Sequence, residues 1–268
     1  MKGVINLENK FGKKSLLNLE ACKKNGQTYV EDLYFTAPLK VMRPFIKDDG
    51  GIKIMLLSAS AALMAGDEQE INILVNDGAD LEFVSQSYEK IHKMDEGCAV
   101  KNTVINIGKN AKLKYTPLPV IPFAGSAYKG KTKVYLEDET SKFFMTDIIS
   151  CGRAVNEERF EYKYYYSLIE IYKAGLPVYR DNARYMPDIF DMEGTGMFEK
   201  YSHLANILIF NYRISDENIN LLRSYFEENS FDGGITRTAS SDICIRLFAG
   251  SAFILEKICE DIRKMLAV

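Results

Sequence analysis

Alternating hydrophobic and polar positions dominate the first part of the chain. Runs such as Tyr29–Thr36 and Ile52–Leu57 are rich in β-branched and aromatic residues, and prolines and the Gly50–Gly51 pair separate them. A period of two between turn residues is typical of strands that bury one face. The pattern therefore predicts that this part of the chain consists mainly of β-strands.

A repeat runs through the middle of the chain. Its three copies lie near residues 71–90, 103–122 and 132–151, and each contains two alternating strands joined by a polar turn and a small residue. Aligning Ala79 with Ala111 and Ser141 gives spacings of 32 and 30 residues. One copy cannot bury its apolar face alone, so stacked copies are expected to share a core. Unrelated hairpins would give a similar pattern, but the three aligned turns favour a repeat.

Two helices are predicted after residue 200. Ser215 precedes a stretch with acids in its first turn, as suits an N-cap and the positive end of a helix dipole. A second helix is expected from about Ser251, because apolar residues recur there at helical spacing. We expect these residues to face the core: Ile254, Leu255, Ile258, Ile262 and Leu266.

The strands and helices together define the predicted fold class. The chain is expected to be mainly β, with a β-helix-like body (a solenoid or layered sheets) over residues 1–200. A strand from His203, the first helix, a turn at Asp232–Gly234, a strand around Cys244 and the second helix give a β-α-β-β-α order. Residues 201–268 are therefore predicted to form a small α/β segment that packs on the body.

Composition and charge narrow the class of partner. The chain has 34 Lys and Arg against 37 Asp and Glu, a net charge of −3, so nucleic acid is not an expected partner. Its apolar stretches fall short of the ~20 residues that a membrane span needs. The first ten residues lack the apolar core of a secretory signal, and the five cysteines are scattered. These features predict a cytoplasmic protein that does not enter a membrane.

No common catalytic motif is present. The sequence has no P-loop, no Gly-x-Ser-x-Gly elbow, no His-Glu-x-x-His, and only two histidines. Acids beside small residues remain, at Asp67, Glu70, Asp147 and Glu158. Such acids suit three roles: acid–base pairs, hard oxygen ligands for a weakly held metal, or solvated turn residues. Arg153 is placed to keep a partly buried acid charged.

The order of several short motifs resembles the urease accessory protein family UreD, called UreH in some species. Thr36–Pro44 is similar to the family's Pro-Leu-x-Val-x-Arg-Pro segment, and Leu63–Asp67 to its Gly-Gly-Asp turn, in which Ala65 replaces the first glycine. Ser85–Lys90 stands where the family has a Thr/Ser-rich strand ending in lysine. Pro117–Phe123 resembles its proline-rich segment. Asp147–Phe160 matches an acid, then Gly-Arg, then Glu-x-Phe, although Glu157 replaces a glycine.

The resemblance implies a maturation scaffold rather than an enzyme. Members of the family bind UreF, and through it the GTPase UreG, in a symmetric hetero-oligomer that docks on apo-urease. Nickel is then a transported cargo and no cofactor is tightly bound. The resemblance also implies an internal polar tunnel for nickel. Motif matches place these residues there: Asp67, Asp147 and Glu158, with Glu70 added for its closeness to Asp67, and Ser85 and Arg153 as polar lining.

Two other functions stay open from the sequence. A carboxylate-based hydrolase on a β-solenoid requires two acids close together in a cleft, one of them with a raised pKa. A β-solenoid interaction module unrelated to nickel requires only the repeat, with no dependence on Asp67, Asp147 or Glu158.

Overall fold

The computed structural model describes residues 14–268. Within this range the chain forms eighteen strands, two α-helices and a short 3-10 helix at Ala154–Asn156. The helices are α1 (Asp216–Glu228) and α2 (Ala252–Met265). The strands are β1 (Lys14–Lys24), β2 (Gln27–Phe35), β3 (Leu39–Val41), β4 (Phe45–Ile46), β5 (Ile52–Ser58), β6 (Glu68–Val75), β7 (Asp80–Ser85), β8 (Glu89–Ile91), β9 (Ala99–Ile107), β10 (Lys112–Thr116), β11 (Val120–Pro122), β12 (Ala127–Leu136), β13 (Lys142–Ser150), β14 (Tyr164–Lys173), β15 (Leu176–Tyr185), β16 (His203–Phe210), β17 (Asp232–Arg237) and β18 (Ile243–Ala249).

The strands belong to two sheets, and the central strands alternate between them along the chain. The first sheet has the order β15-β14-β12-β9-β6-β1-β2, and the second has the order β17-β18-β16-β13-β10-β7-β5-β3. Strands β1, β6, β9, β12 and β14 pair in parallel in the first sheet. Strands β5, β7, β10 and β13 do so in the second. Each pass through both sheets therefore adds one parallel strand to each of them.

The aligned small residues of the repeat occupy equivalent positions. Ala79, Ala111 and Ser141 each directly precede a strand of the second sheet, and all three are fully buried. The amide of Lys112 donates to the carbonyl of Ala79 at 2.8 Å, and the amide of Lys142 donates to the carbonyl of Ala111 at 2.9 Å. Because of this register, inward-pointing residues of one copy lie beside inward-pointing residues of the next, and outward-pointing residues lie beside outward-pointing ones.

Three hydrophobic clusters fill the molecule. We call the first the aliphatic cluster; it lies between the sheets and includes Ile73, Leu81, Ile105, Leu113 and Val134. The second joins both helices to β13, β16 and β18. The third, the aromatic cluster, contains tyrosines and phenylalanines together with small apolar residues: Ile91, Ala127, Tyr128, Phe160, Tyr162, Tyr165 and Phe198. The aliphatic and aromatic clusters are separate, and the cavity described below lies between them.

The C-terminal segment continues the second sheet. Strand β16 pairs antiparallel with β13 and with β18, so residues after 200 are joined to the earlier strands by backbone hydrogen bonds. Ser215 caps α1, where its side chain accepts from the amide of Asn218, and Ser251 caps α2. The mainly β composition and the two helices confirm the sequence prediction. The domain boundary at residue 200 stays a prediction.

Two local predictions in this segment are wrong. Asp232–Gly234 is not a turn but the start of β17, because these residues pair with Arg246–Phe248 along a sheet edge. Ile254 does not face the core: it is 42% exposed, whereas Leu255, Ile258 and Ile262 are buried. Helical spacing alone does not distinguish a residue at the edge of an apolar stripe from a residue at its centre. Neither helix of the described residues is long and apolar enough to cross a membrane.

The buried small residue of the repeat gives a test of the stacking. Ala111→Leu adds three carbons at a fully buried position, so we expect it to destabilise the fold by about 1–3 kcal/mol through overpacking. Lys112→Leu, at the adjacent exposed position, is the matched control. Urea denaturation of both variants measures the difference, and equal stabilities would contradict the stacked arrangement.

Candidate functional site

A cavity of about 220 Å³ lies between the two sheets. Apolar walls come from both neighbouring clusters, with Phe83 and Met145 on one side and Tyr128 and Tyr165 on the other. The remaining lining is unusually polar for a protein interior. Its polar side chains include Gln69, Ser85, Glu89, Lys101, Thr103, Asp147 and Ser167. A polar layer thus interrupts the hydrophobic core.

Strand register explains how the polar layer forms. In the first sheet, Gln69 of β6 pairs with Lys101 of β9, Lys101 with Gly130 of β12, and Gly130 with Ser167 of β14. All four line the cavity. A Cβ added at Gly130 would lie 2.9 Å from the ring of Tyr128, so glycine is required for that ring to lie against the strand.

Lys101 and Glu89 form an ion pair in the cavity wall. The ammonium Nζ of Lys101 donates to both carboxylate oxygens of Glu89, at 2.8 Å and 2.9 Å. The side chain of Lys101 is only 14% exposed. Burial lowers the pKa of Lys101, but the negative charge of Glu89 and its hydrogen bond outweigh burial, and the net pKa is raised. Lys101 is therefore charged at neutral pH.

Asp147 presents a carboxylate to the cavity from β13. It lies deep in the protein, yet it keeps some accessible surface because it faces the cavity. Burial, followed by the charge of Asp181, raises the pKa of Asp147 to about 6; Lys101 opposes the shift and Glu89 adds to it. Both acidic neighbours are already paired, Glu89 with Lys101 and Asp181 with Arg246 at 2.9 Å.

Tyrosine hydroxyls complete the polar surroundings. Tyr128 and Tyr165 stack with ring centroids 5.0 Å apart, and Tyr115 lies on the opposite sheet. Burial raises the pKa of all three tyrosines. Their hydroxyls are therefore neutral and can donate or accept hydrogen bonds.

Glu158 and Arg153 form a second ion pair outside the cavity lining. Arg153 Nε donates to Glu158 at 2.9 Å, and its guanidinium lies 4.2 Å from the centre of the Phe123 ring. The amide of Ala124 also donates to Glu158, at 3.1 Å. Glu158 is buried, and the hydrogen bond from Arg153 is the largest cause of its lowered pKa. Arg153 and Glu158 both lie in the loop after β13, and their contacts with Phe123 and Ala124 tie that loop to the loop after β11.

Asp67 and Glu70 also lie outside the cavity lining. Asp67 closes a tight turn, in which its carboxylate accepts from the amide of Met64 at 2.8 Å. Gly66, at φ +81°, allows that turn. Glu70 lies on the outer face of β6 and forms an ion pair with Lys14. Both carboxylates therefore have structural partners near the surface.

The six residues chosen from the sequence fall into separate places. Asp147 and Ser85 line the cavity, and Ser85 Oγ accepts from the amide of Leu118 at 2.7 Å. Arg153 and Glu158 contact each other, whereas Asp67 and Glu70 have partners elsewhere. In the described part of the chain, no three His, Cys, Asp or Glu side chains cluster in a way that could hold a metal ion.

Sequence reasoning missed Glu89 and Lys101. A usable signal existed for Lys101, because every second residue of β9 points inward and Lys101 is one of them. The other inward positions are Ala99, Thr103, Ile105 and Ile107. A charged residue at an inward position of a strand indicates a buried polar site. Glu89 lies in a three-residue strand, where no comparable alternation can be seen.

Asp147 generates a prediction on pH dependence. Its raised pKa means that the folded state binds a proton more tightly than the unfolded state, so the protein loses stability as pH rises from 3.8 through about 6. Asp147→Asn cannot ionise. We expect the variant to be more stable than the wild type by about 1–3 kcal/mol at about pH 7.5, and no more stable near pH 4. Urea denaturation at both pH values tests this, and a pH-independent difference would contradict it.

Glu158 generates the opposite prediction. Glu158→Ala removes two hydrogen-bonded contacts of a buried carboxylate, so we expect a loss of about 1–3 kcal/mol at neutral pH. Because the pKa of Glu158 is lowered in the fold, that contribution disappears as pH falls through its ordinary value of 4.5 and below. Glu157→Ala, at the exposed neighbour, is the control in the same denaturation series. Equal losses for both variants would show that the ion pair does not stabilise the loops.

Comparison with known proteins gives the family. The family model described as "UreD urease accessory protein" matches residues 13–268. Urease accessory protein UreD of Acetivibrio thermocellus is 36% identical over 264 residues, covering 97% of this chain and all of the relative. Urease accessory protein UreH of Helicobacter pylori strain G27 is 33% identical over 259 residues, covering 96% of each chain. These matches confirm the resemblance indicated by the sequence motifs, and the chain belongs to the UreD family of urease accessory proteins.

Proposed function

We propose that this protein is a non-catalytic scaffold for urease maturation, through whose polar cavity nickel passes as cargo. In this role it binds UreF, and through UreF the GTPase UreG, and it docks on apo-urease within a symmetric hetero-oligomer. Family membership supports the maturation role. The observation that supports nickel passage is a carboxylate, Asp147, that faces an internal cavity without a paired cation.

The chemistry of the cavity suits a divalent cation that has to leave again. Its oxygen donors are one unpaired carboxylate, hydroxyl groups of serine, threonine and tyrosine, and the amide of Gln69. Oxygen ligands without imidazole or thiolate bind first-row metals weakly. We further infer that the alternating parallel strands form a β-helix-like body, whose stacked turns would enclose such a path.

Exposed apolar side chains support the binding of protein partners. Phe45 and Ile46 of β4 are 51% and 74% exposed, and Phe253 of α2 is 74% exposed. Large apolar side chains at the surface of a protein that assembles with others mark candidate contact areas.

Of the six residues chosen from the sequence for the nickel route, we propose that Asp147 and Ser85 belong to the cavity route. Asp67, Arg153 and Glu158 are assigned to it only by motif, and Glu70 only by its closeness to Asp67.

A carboxylate hydrolase is less well supported by this geometry. Such a mechanism needs two acids with different tasks close together. Asp147 has the raised pKa of a general acid, but Glu89 is bound to Lys101 and Asp181 is bound to Arg246. The acids near Asp147 are therefore held in ion pairs rather than free to act as its partner.

Complementation tests the proposed function. A urease gene cluster that lacks its own UreD is supplied with this chain and matching UreF and UreG, and urea hydrolysis is assayed in nickel medium. We expect activity with the wild type and about a tenfold loss with Asp147→Asn, because each carboxylate is a large part of the attraction for a divalent cation in a low-dielectric cavity. Since that variant is expected to be more stable, loss of folding would not explain the result.

Glu70→Gln is the matched control, because Glu70 is a carboxylate outside the cavity lining. We expect it to retain activation. If Glu70→Gln lowers activation as much as Asp147→Asn does, nickel follows the outer face of β6 rather than the cavity. If the wild-type chain restores no activity although it binds UreF and urease, the maturation role is wrong.

A further inference from the structure

The charge distribution in the cavity does not match a permanent cation site. Its charged lining includes Glu89 from β8, Lys101 from β9 and Asp147 from β13, so both signs of charge meet there. The ammonium of Lys101 binds both oxygens of Glu89, so one of the two carboxylates is occupied by the protein's own cation. Of these two carboxylates, Asp147 forms no ion pair within residues 14–268 and is left open to an entering ion.

Lys101 differs from the other lysines of the lining. Lys131 reaches Glu170 at 3.8 Å with its side chain 44% exposed, and Lys90 is exposed at the surface. Lys101 is 14% exposed and is flanked in the sheet by Gln69 and Gly130, neither of which carries a charge. Its charge therefore acts inside the cavity, where water screens it least.

Stability alone does not account for a buried ion pair of this kind. Taking two charges out of water costs free energy that their attraction repays only in part, and an apolar pair of similar size is often as stable. The alternation of β9 puts apolar or small neutral residues at the other inward positions, so an apolar residue would fit the pattern at position 101 as well. We therefore looked for a role of the ion pair that depends on its charges.

We propose that Lys101 is an internal competitor for the transported cation: it neutralises Glu89 while the cavity is empty, leaves Glu89 when a divalent cation enters, and returns to expel that cation. This inference rests on the proposed passage of nickel. A divalent cation held by Glu89 and Asp147 together would bind more tightly than one held by Asp147 alone, and a scaffold has to release its cargo to deliver it. The tethered ammonium competes at a high effective concentration, because it is part of the same chain.

The first test measures nickel affinity without urease. Ni²⁺ is titrated calorimetrically into the full-length wild-type chain, Lys101→Gln and Lys101→Arg. Glutamine keeps a hydrogen-bond donor to Glu89 but removes the charge, whereas arginine keeps the charge. We expect Lys101→Gln to lower the Kd for Ni²⁺ by about tenfold or more, and Lys101→Arg to stay close to wild type. Equal Kd values for Lys101→Gln and wild type would overturn the proposal.

A second variant covers the case in which Lys101→Gln does not fold. Glu89→Gln leaves the charge of Lys101 in the cavity beside Asp147, so we expect it to raise the Kd for Ni²⁺ about tenfold or more. If the ion pair is structural only, Glu89→Gln changes the unfolding midpoint but leaves the Kd unchanged, and the proposal fails. Lys112→Gln, which removes a lysine with an exposed side chain outside the cavity lining, is the control and is expected to keep the wild-type Kd.

Urease activation separates this proposal from the function on which it rests. We expect Lys101→Gln to bind Ni²⁺ more tightly and yet activate urease less in the complementation assay, because release is slowed. Tighter binding with undiminished activation would overturn the expulsion role of Lys101 alone. A wild-type chain that activates no urease would overturn the proposed function instead.

Discussion

In-register parallel pairing of the stacked strands is the constraint on which the rest of the structure depends. Because a strand alternates its side chains between two faces, one backbone register fixes which residues of every copy point inward. Ala79, Ala111 and Ser141 mark that register at the start of three neighbouring strands of the second sheet. A slip by one residue would turn Lys101 and Asp147 outward and place their neighbours in the cavity.

The same register produces both a core and an interruption of it. Farther along the parallel strands the inward positions are aliphatic, as at Ile73, Ile105 and Val134. Four residues nearer their start, the paired inward positions are polar or lack a side chain: Gln69, Lys101, Gly130 and Ser167. Tyr128 and Tyr165 then close the far side as part of the aromatic cluster. The cavity therefore arises because a few inward positions of an otherwise regular stack of strands carry polar side chains or glycine.

Two ion pairs of the same chemical kind have different surroundings, and their roles differ accordingly. Arg153 and Glu158 lie in one loop and contact the ring of Phe123 and the amide of Ala124 in another, and the hydrogen bonds to Glu158 favour its charged form. Lys101 and Glu89 face a cavity beside an unpaired carboxylate. The first arrangement stabilises loops. The exchange of partners that we propose for Lys101 depends on the second arrangement.

The sequence by itself determined the mainly β class, the two helices with the serine cap of the first, and the family. These features depend on local periodicity, on capping residues and on the order of motifs, and each of these signals can be identified from the order of residues along the sequence. Only the tertiary structure decided which acids share a site. Asp67 and Asp147 are both acids beside small residues, yet one closes a turn and the other faces the cavity. Likewise, Glu89 and Lys101 meet because strands from both sheets enclose one space, and contacts of that kind depend on the packing of two sheets rather than on any local pattern.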